Sequence, residues 1–306
     1  MLYDVNGKPI ESLPYVPDES LPYVPDDPQH IGLNKFVQEM NNRAQQIGMS
    51  NSIFADPAGY NTATNRVTAR DLVKLGIEAC CYDRLCRIWN TNSKTIQTLD
   101  QNHRQIVCEY GDNTTSLDAA YPLLGKKNGY MPLSGGGNSF TMVAVCVVDG
   151  KIIVGAIGGA TSRPNRPIAM KELMDNVHAI LNNGTASTPT YYTMGCAAEL
   201  PSGNPASFER KSLPYIYEYD ADTQFVPASV TKVLTAITML DYCDSVYDKI
   251  MALNADDLTT GSGQLLVDGD IINFEQALYL MMLPSSGATC RVVARTLGQK
   301  MLKKYS

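Results

Sequence analysis

Pro227-Ala-Ser-Val-Thr-Lys-Val-Leu-Thr-Ala236 carries the sharpest local signal in the chain. The apolar run that follows it, Val233 to Leu240, predicts a helix from Ser229 to Tyr242. Ser229 and Lys232 then stand three residues apart at the helix start, which puts hydroxyl and amine on one face. The helix N-terminus adds backbone N–H groups and a positive dipole end, both suited to a developing oxyanion. A lysine amine acts as a base only where burial or neighbouring positive charge lowers its pKa, and the run after it offers burial. Taken alone, however, the pair reads better as an N-cap serine with an exposed lysine one turn on.

Working outward, Pro214-Tyr-Ile-Tyr-Glu-Tyr219 predicts a strand ending in the turn Asp220-Ala-Asp-Thr223, with a shorter strand near Cys196–Leu200 before it. Helices are expected from Phe274 to Leu283 and from Gly287 to Lys303. In the other half of the chain, Phe36, Met40, Ala44 and Ile47 recur at helical spacing between Asn34 and Gly48. After a loop over residues 50–60, Thr68-Ala-Arg-Asp71 fits a capping box for a helix through about Tyr82. Residues 137–148 and 151–158 are apolar and β-branched and are joined by Asp149-Gly150, a strong hairpin signal. Pro167 to Leu181 reads as a helix with proline in its first turn. Helices around a few antiparallel strands give a mixed α+β class, not a doubly wound sheet.

The chain divides into a proline-rich arm over 1–33, a unit over 34–182, a linker over 183–195 and a unit over 196–306. In the arm, Glu11-Ser-Leu-Pro-Tyr-Val-Pro-Asp18 is repeated at once as Glu19-Ser-Leu-Pro-Tyr-Val-Pro-Asp26, a proline density that resists helix and central strand and reads as a spacer.

With 306 residues, 44% of them hydrophobic, there is enough chain for one large core or two small ones. The net charge of -6 offers no field for nucleic acid or acidic membrane. The three histidines, His30, His103 and His178, share no motif, which argues against a histidine triad or a histidine-rich metal site. The eight cysteines form no C-x-x-C pair and several lie in apolar runs, so buried free thiols are expected rather than zinc or a disulfide framework. No apolar signal-peptide region follows Met1, and no run reaches the ~20 apolar residues of a membrane span.

Two further features change the weighing of Ser229 and Lys232. Ser285-Ser-Gly287 lies between two predicted helices, and Lys127-Asn-Gly129 precedes the glycine-rich Ser134-Gly-Gly-Gly137 and the hairpin. Each is weak alone: a turn serine, and a surface lysine in a turn. Together with Ser-x-x-Lys they resemble the three motifs of β-lactamases and penicillin-binding proteins. The stretch from Tyr217 to Lys232 resembles the serine-type D-alanyl-D-alanine carboxypeptidases, the low-molecular-mass penicillin-binding proteins. Phe36 to Gly59 is similar to the family segment after the second motif, and Ile153 to Leu173 to its last strand and C-terminal helix. The likeness spans roughly residues 30–182 and 195–303.

The resemblance implies a transpeptidase-like α+β fold with an antiparallel sheet of about five strands, but with its segments out of order. The family runs Ser-x-x-Lys, Ser-x-Asn, Lys-Thr-Gly, whereas here the lysine motif comes first. A circular permutant, with residues 183–195 joining the old termini, is the simplest account. Halves that complete each other between chains, as in a swapped homodimer, or an artificial junction are the alternatives.

The implied roles are these. Ser229 attacks the carbonyl of a terminal D-alanyl-D-alanine bond of a peptidoglycan stem peptide, Lys232 takes its proton, and Ser285 relays a proton to the leaving amine. Lys127 adds positive charge, Asn128 and Gly129 complete its motif, and Arg163 or Arg166 helps bind the terminal carboxylate. Backbone N–H groups of Ser229 and Tyr130 form the oxyanion hole, β-lactams act as inhibitors, and no cofactor or metal is implied. Such a substrate lies outside the cytoplasm. Two positions depart from the family: Gly287 stands where it has asparagine, and Asn128 where it has threonine or serine. Loss of one preorganised donor costs about 10²–10³ in rate, so a weakened or non-catalytic binding module is the chief alternative, and a serine β-lactamase a further one.

Overall fold

The computed structural model describes residues 32–60, 63–133, 136–201, 213–253, 257–258 and 263–305. The repeated octapeptide and nearly all of the proline-rich arm lie outside these residues. In chain order the elements are α1 (Leu33–Gln46), α2 (Ala69–Ala79), α3 (Asp83–Trp89), β1 (Ser93–Gln97), β2 (Gln105–Glu109), α4 (Thr115–Ala120), β3 (Leu123–Pro132), β4 (Asn138–Val148), β5 (Lys151–Gly158), α5 (Arg166–Leu181), β6 (Met194–Glu199) and β7 (Tyr215–Tyr219). A 3₁₀ turn, Ala228–Val230, leads into α6 (Thr231–Tyr242), followed by β8 (Lys249–Met251), β9 (Ile271–Asn273), α7 (Phe274–Met282) and α8 (Gly287–Tyr305).

The hairpin expected from Asp149-Gly150 forms as β4 and β5, and both turn residues take the positive φ that a tight two-residue turn requires (49° and 77°). It sits inside a five-stranded sheet of order β3-β4-β5-β6-β7, antiparallel throughout. The sheet is covered on both faces. Val143, Val145, Val154 and Ala156 point to one core, shared with α1, α2, α6 and α8. Met142, Ala144, Cys146, Ile153 and Ile157 point to a second, under α5. Burial on both faces explains why these strands read as continuous apolar runs rather than as alternating ones. The two-stranded pairs β1–β2 and β8–β9 lie apart from the main sheet.

The first core is built around α6, whose Val233, Leu234, Ala236, Ile237 and Met239 are all fully buried. The periodic residues of α1, Phe36, Met40, Ala44 and Ile47, are likewise fully buried. Arg43 lies among them and reaches Glu78 on α2 (2.8 Å) and Asp241 on α6 (3.2 Å), tying three helices with one guanidinium. Thr68 caps α2 by accepting from the Asp71 N–H (3.1 Å), as its spacing predicts. The helix ends at Ala79, however, short of Tyr82. Tyr82 leaves it in an extended conformation, and its hydroxyl donates to Asp241 (2.6 Å). A tertiary contact thus overrides local propensity.

All eight cysteines are free thiols, six of them buried. Among the described residues no helix is long and apolar enough to cross a membrane.

Candidate active site

Phe225 pairs with Val67 across an isolated bridge (2.9 and 3.0 Å), which carries the chain from β7 back against α2. Its next two carbonyls are then caught by the sheet: Ser139 Oγ donates to Val226 O (2.7 Å) and Thr141 Oγ1 to Pro227 O (2.9 Å). Both donors stand on β4, two residues apart, and so share one face of the strand. The chain must then turn sharply into α6, and Ala228 does so with φ at 49°. Ser229, almost fully buried, follows in the 3₁₀ turn.

Lys232 is completely buried one turn further on. Its Nζ lies 2.8 Å from Ser229 Oγ and 2.7 Å from Ala58 O. Burial pushes its pKa below the ordinary lysine value, with Cys290 and Asp56 acting in the opposite direction. Hydroxyl and amine are thus within proton-transfer distance, and the amine is shifted toward its basic, neutral form.

Lys127 is also fully buried, in the interior of β3 rather than in a surface turn. Its Nζ donates to Ser285 Oγ (3.0 Å), Asn128 O (3.0 Å) and Asn128 Oδ1 (3.2 Å). Burial holds its pKa well below the lysine range, and the charges of Lys232 and Arg166 add to the effect. Ser285 sits between α7 and α8 with φ at 66°. Its neighbour Ser286 turns the other way and serves the helix: Ser286 Oγ accepts from the Thr289 N–H (3.2 Å) and from Thr289 Oγ1 (2.8 Å), inside the first turn of α8.

The structure therefore brings Ser229, Lys232, Ser285 and Lys127 into one place within one chain. A cavity of about 120 Å³ opens beside them, lined among others by Asn128, Tyr130, Arg163, Arg166, Ser229 and Ser285. Gly129 lies under the turn at Ala228, where a β-carbon would stand 2.7 Å from Pro227 O and 3.1 Å from Ala228 Cβ. Tyr130 is half-exposed and stacks on Phe140 at 5.1 Å.

The two arginines differ. Arg166 is buried and chelated by Asp112 (2.7 and 2.6 Å), and it also donates to Gly129 O. Arg163 reaches Asp112 only at 3.5 Å, and most of its side chain is exposed. A larger groove of about 660 Å³ continues from the cavity past Gly111 and Arg163. Among the described residues no group of His, Cys, Asp and Glu side chains is placed to hold a metal ion.

Sequence reasoning passed over the loop that supports this site. Asp56 Oδ1 accepts the N–H groups of Ala58 (2.8 Å), Gly59 (2.7 Å) and Tyr60 (3.0 Å), and Oδ2 accepts from Asn65 Nδ2 (2.8 Å). Thr235 Oγ1 donates to Pro57 O (2.6 Å). The loop thereby presents Ala58 O to Lys232. An aspartate followed by Pro-Ala-Gly is a turn signal with a known mechanism, but nothing local says that the turn faces Lys232. Ser139, Thr141 and Asp112 were equally silent, because each acts on a partner dozens of residues away.

Comparison with curated proteins and with solved structures returns no match. Residues 30–154, which carry Lys127 and the supporting loop but not Ser229, match the model of peptidase family S11, D-alanyl-D-alanine carboxypeptidase. That match supports the family to which the three motifs and their surroundings point: the chain is similar to the serine D-alanyl-D-alanine carboxypeptidases, with a mixed α+β fold built on a five-stranded antiparallel sheet.

Proposed function

We propose that this protein is a serine acyl-enzyme hydrolase that removes the terminal D-alanine from peptidoglycan stem peptides and is acylated by β-lactams. The observation that carries the reading is the contact of Lys232 Nζ with Ser229 Oγ at 2.8 Å, with Lys127 and Ser285 alongside. Lys232, neutral, takes the Ser229 proton as Oγ attacks the penultimate carbonyl carbon. The carbonyl electrons move to oxygen, which the backbone N–H groups of Ser229 and Tyr130 receive. The tetrahedral intermediate collapses as the C–N bond breaks. Ser285, hydrogen-bonded to Lys127, passes a proton to the departing amine and is resupplied from Lys232. Water then hydrolyses the ester by the reverse relay. Arg163, open to the groove, is the better-placed arginine for the terminal carboxylate, since Arg166 is committed to Asp112 and Gly129. The substrate class assigns the protein to the cell wall side of the membrane.

We also read the segment order as a circular permutation. What supports it is that β5 and β6 are neighbouring antiparallel strands, although α5 and residues 182–193 lie between them in sequence. A β-lactamase is disfavoured because the described lining of the cavity includes no carboxylate to drive fast deacylation. A weakened binding module is the second reading, and what favours it is that Gly287 and Asn128 stand where the family has asparagine and threonine or serine.

The test is labelling with a fluorescent penicillin, followed by D-alanine release from a peptide ending in D-alanyl-D-alanine. Wild type labels and Ser229→Ala does not. Labelling without D-alanine release selects the weakened module, and absence of labelling refutes the acyl-enzyme.

A further inference from the structure

We infer that Tyr60 is a positioning residue for Lys232, and that position 287 is glycine because the Tyr60 ring stands where a side chain there would begin. The inference rests on the reading of Ser229 and Lys232 as nucleophile and base.

Two contacts carry it. The Tyr60 ring lies with its centroid 5.2 Å from Lys232 Nζ, within the range at which a ring face attracts an ammonium. A β-carbon built on Gly287 would meet Tyr60 Oη at 2.1 Å, Cζ at 2.5 Å and Cε2 at 2.6 Å. Tyr60 therefore spans from the first residue of α8 to the amine of α6. It is held there from behind, because its own N–H donates to Asp56 Oδ1 (3.0 Å). One loop thus applies two groups to one amine: Ala58 O at 2.7 Å and the ring face.

The chemistry of the amine makes this arrangement useful. To accept the Ser229 proton, neutral Lys232 must aim its lone pair at Ser229 Oγ. That leaves two N–H bonds to be placed without water. Ala58 O takes one, and the other is left on the side of the amine that faces the ring, 5.2 Å from its centroid. When the proton is transferred the amine becomes an ammonium, and the same ring face stabilises the new charge. The stabilisation grows along the acylation coordinate, which is the condition for accelerating it. Around Lys232 the other titratable groups are Lys127 on β3, Asp56 in the loop and Cys290 on α8. None of them supplies an aromatic face.

The experiment combines Tyr60→Leu, Tyr60→Phe, Gly287→Ala and the double variant Tyr60→Leu/Gly287→Ala. Its first readout is the pH dependence of the penicillin acylation rate. Tyr60→Leu lowers the rate about tenfold to thirtyfold, the size of a desolvated cation–π contact, and moves the rising limb to lower pH because the ammonium has lost support. Tyr60→Phe keeps the ring face and restores most of the rate. Gly287→Ala alone is damaging, since its methyl group enters the ring. In the double variant it has no further effect, because the ring is gone. The second readout needs no turnover: lysine NMR titration follows the Lys232 pKa, which falls in Tyr60→Leu and holds in Tyr60→Phe. An unshifted Lys232 pKa in Tyr60→Leu overturns the inference even if wild type proves unreactive to penicillin. So does a Gly287→Ala defect that persists undiminished when Tyr60→Leu is already in place.

Discussion

Asp112→Ala tests the electrostatic floor of the site. The carboxylate is 3% exposed and the Arg166 guanidinium 2%, and they meet through two parallel hydrogen bonds of 2.7 and 2.6 Å. Alanine removes both bonds and leaves a buried cation holding only Gly129 O. Breaking a buried pair from one side costs about 3–5 kcal/mol. Asp112 also lines the larger groove, so water can reach the vacated space, which argues for about 3 kcal/mol at the low end of that range. For a chain of 306 residues that is a fall in Tm of about 5 °C. Urea unfolding gives the free energy, and a thermal scan gives the shift. Arg166→Met/Asp112→Ala supplies the decisive comparison. With the uncompensated cation gone, the double variant must be more stable than Asp112→Ala alone. A loss below about 1 kcal/mol in Asp112→Ala, the level of an exposed pair, or a double variant whose loss equals the sum of the single losses, refutes the reasoning.

Other outcomes follow from the same geometry. Lys127→Met removes a fully buried amine and its bond to Ser285. Penicillin acylation is expected to fall by about 10²–10³ while urea stability holds or rises, because an apolar side chain of similar length needs no desolvation. A parallel loss of stability would show that Lys127 is chiefly structural. Asp241 gives a pH signature: burial raises its pKa to about 6, against the opposing influence of Arg43 and the Tyr82 hydrogen bond. An unfolded aspartate titrates near 3.9, so between about pH 4 and 6 the folded state holds a proton that the unfolded state has released. Stability from this group therefore declines as pH rises through that window. Asp241→Asn should flatten that part of the stability–pH curve, and an unchanged slope contradicts the assignment.

What could be read from the sequence was what repeats locally. The 3.6-residue spacing of Phe36, Met40, Ala44 and Ile47 gave α1, and Asp149-Gly150 gave the hairpin, because each signal is complete within a few residues. β1 and β2 escaped notice because β1 buries only Ile96 and β2 only Ile106 and Cys108, too few apolar residues for an alternation to show. Four residues of the site were visible only as chemistry at suggestive spacing. Ser229 and Lys232 read as a helix cap until Lys127 and Ser285 were considered with them. Lys127 read as a surface turn residue because local sequence does not show that β3 packs against the 3₁₀ turn before α6 or that Lys127 meets Ser285. Tyr60 and Asp56 lay in a stretch recognised as a loop, yet their role exists only once that loop meets Lys232.

The backbone around Ser229 binds the two halves of the chain together. Among the described residues six that are not glycine have positive φ, and four of them are the His, Asp or Asn types that tolerate it: His103, Asp149, Asn183 and Asp220. The other two, Ala228 and Ser285, are both at the site. A left-handed alanine costs about 1–2 kcal/mol, so Ala228 keeps this shape only because its surroundings impose it. Gly59, itself at φ 84°, approaches so closely that a β-carbon there would lie 1.9 Å from Ala228 O. Ser139 and Thr141 hold the two preceding carbonyls. All of these restraints come from residues 34–182, whereas Ser229 and Lys232 lie in 196–306. The later segment alone contains none of these restraints on Ala228. The earlier one alone presents a lysine, a loop and two hydroxyls to an empty space. The strained turn that presents Ser229 is therefore a property of the joined halves, whatever order the chain visits them in.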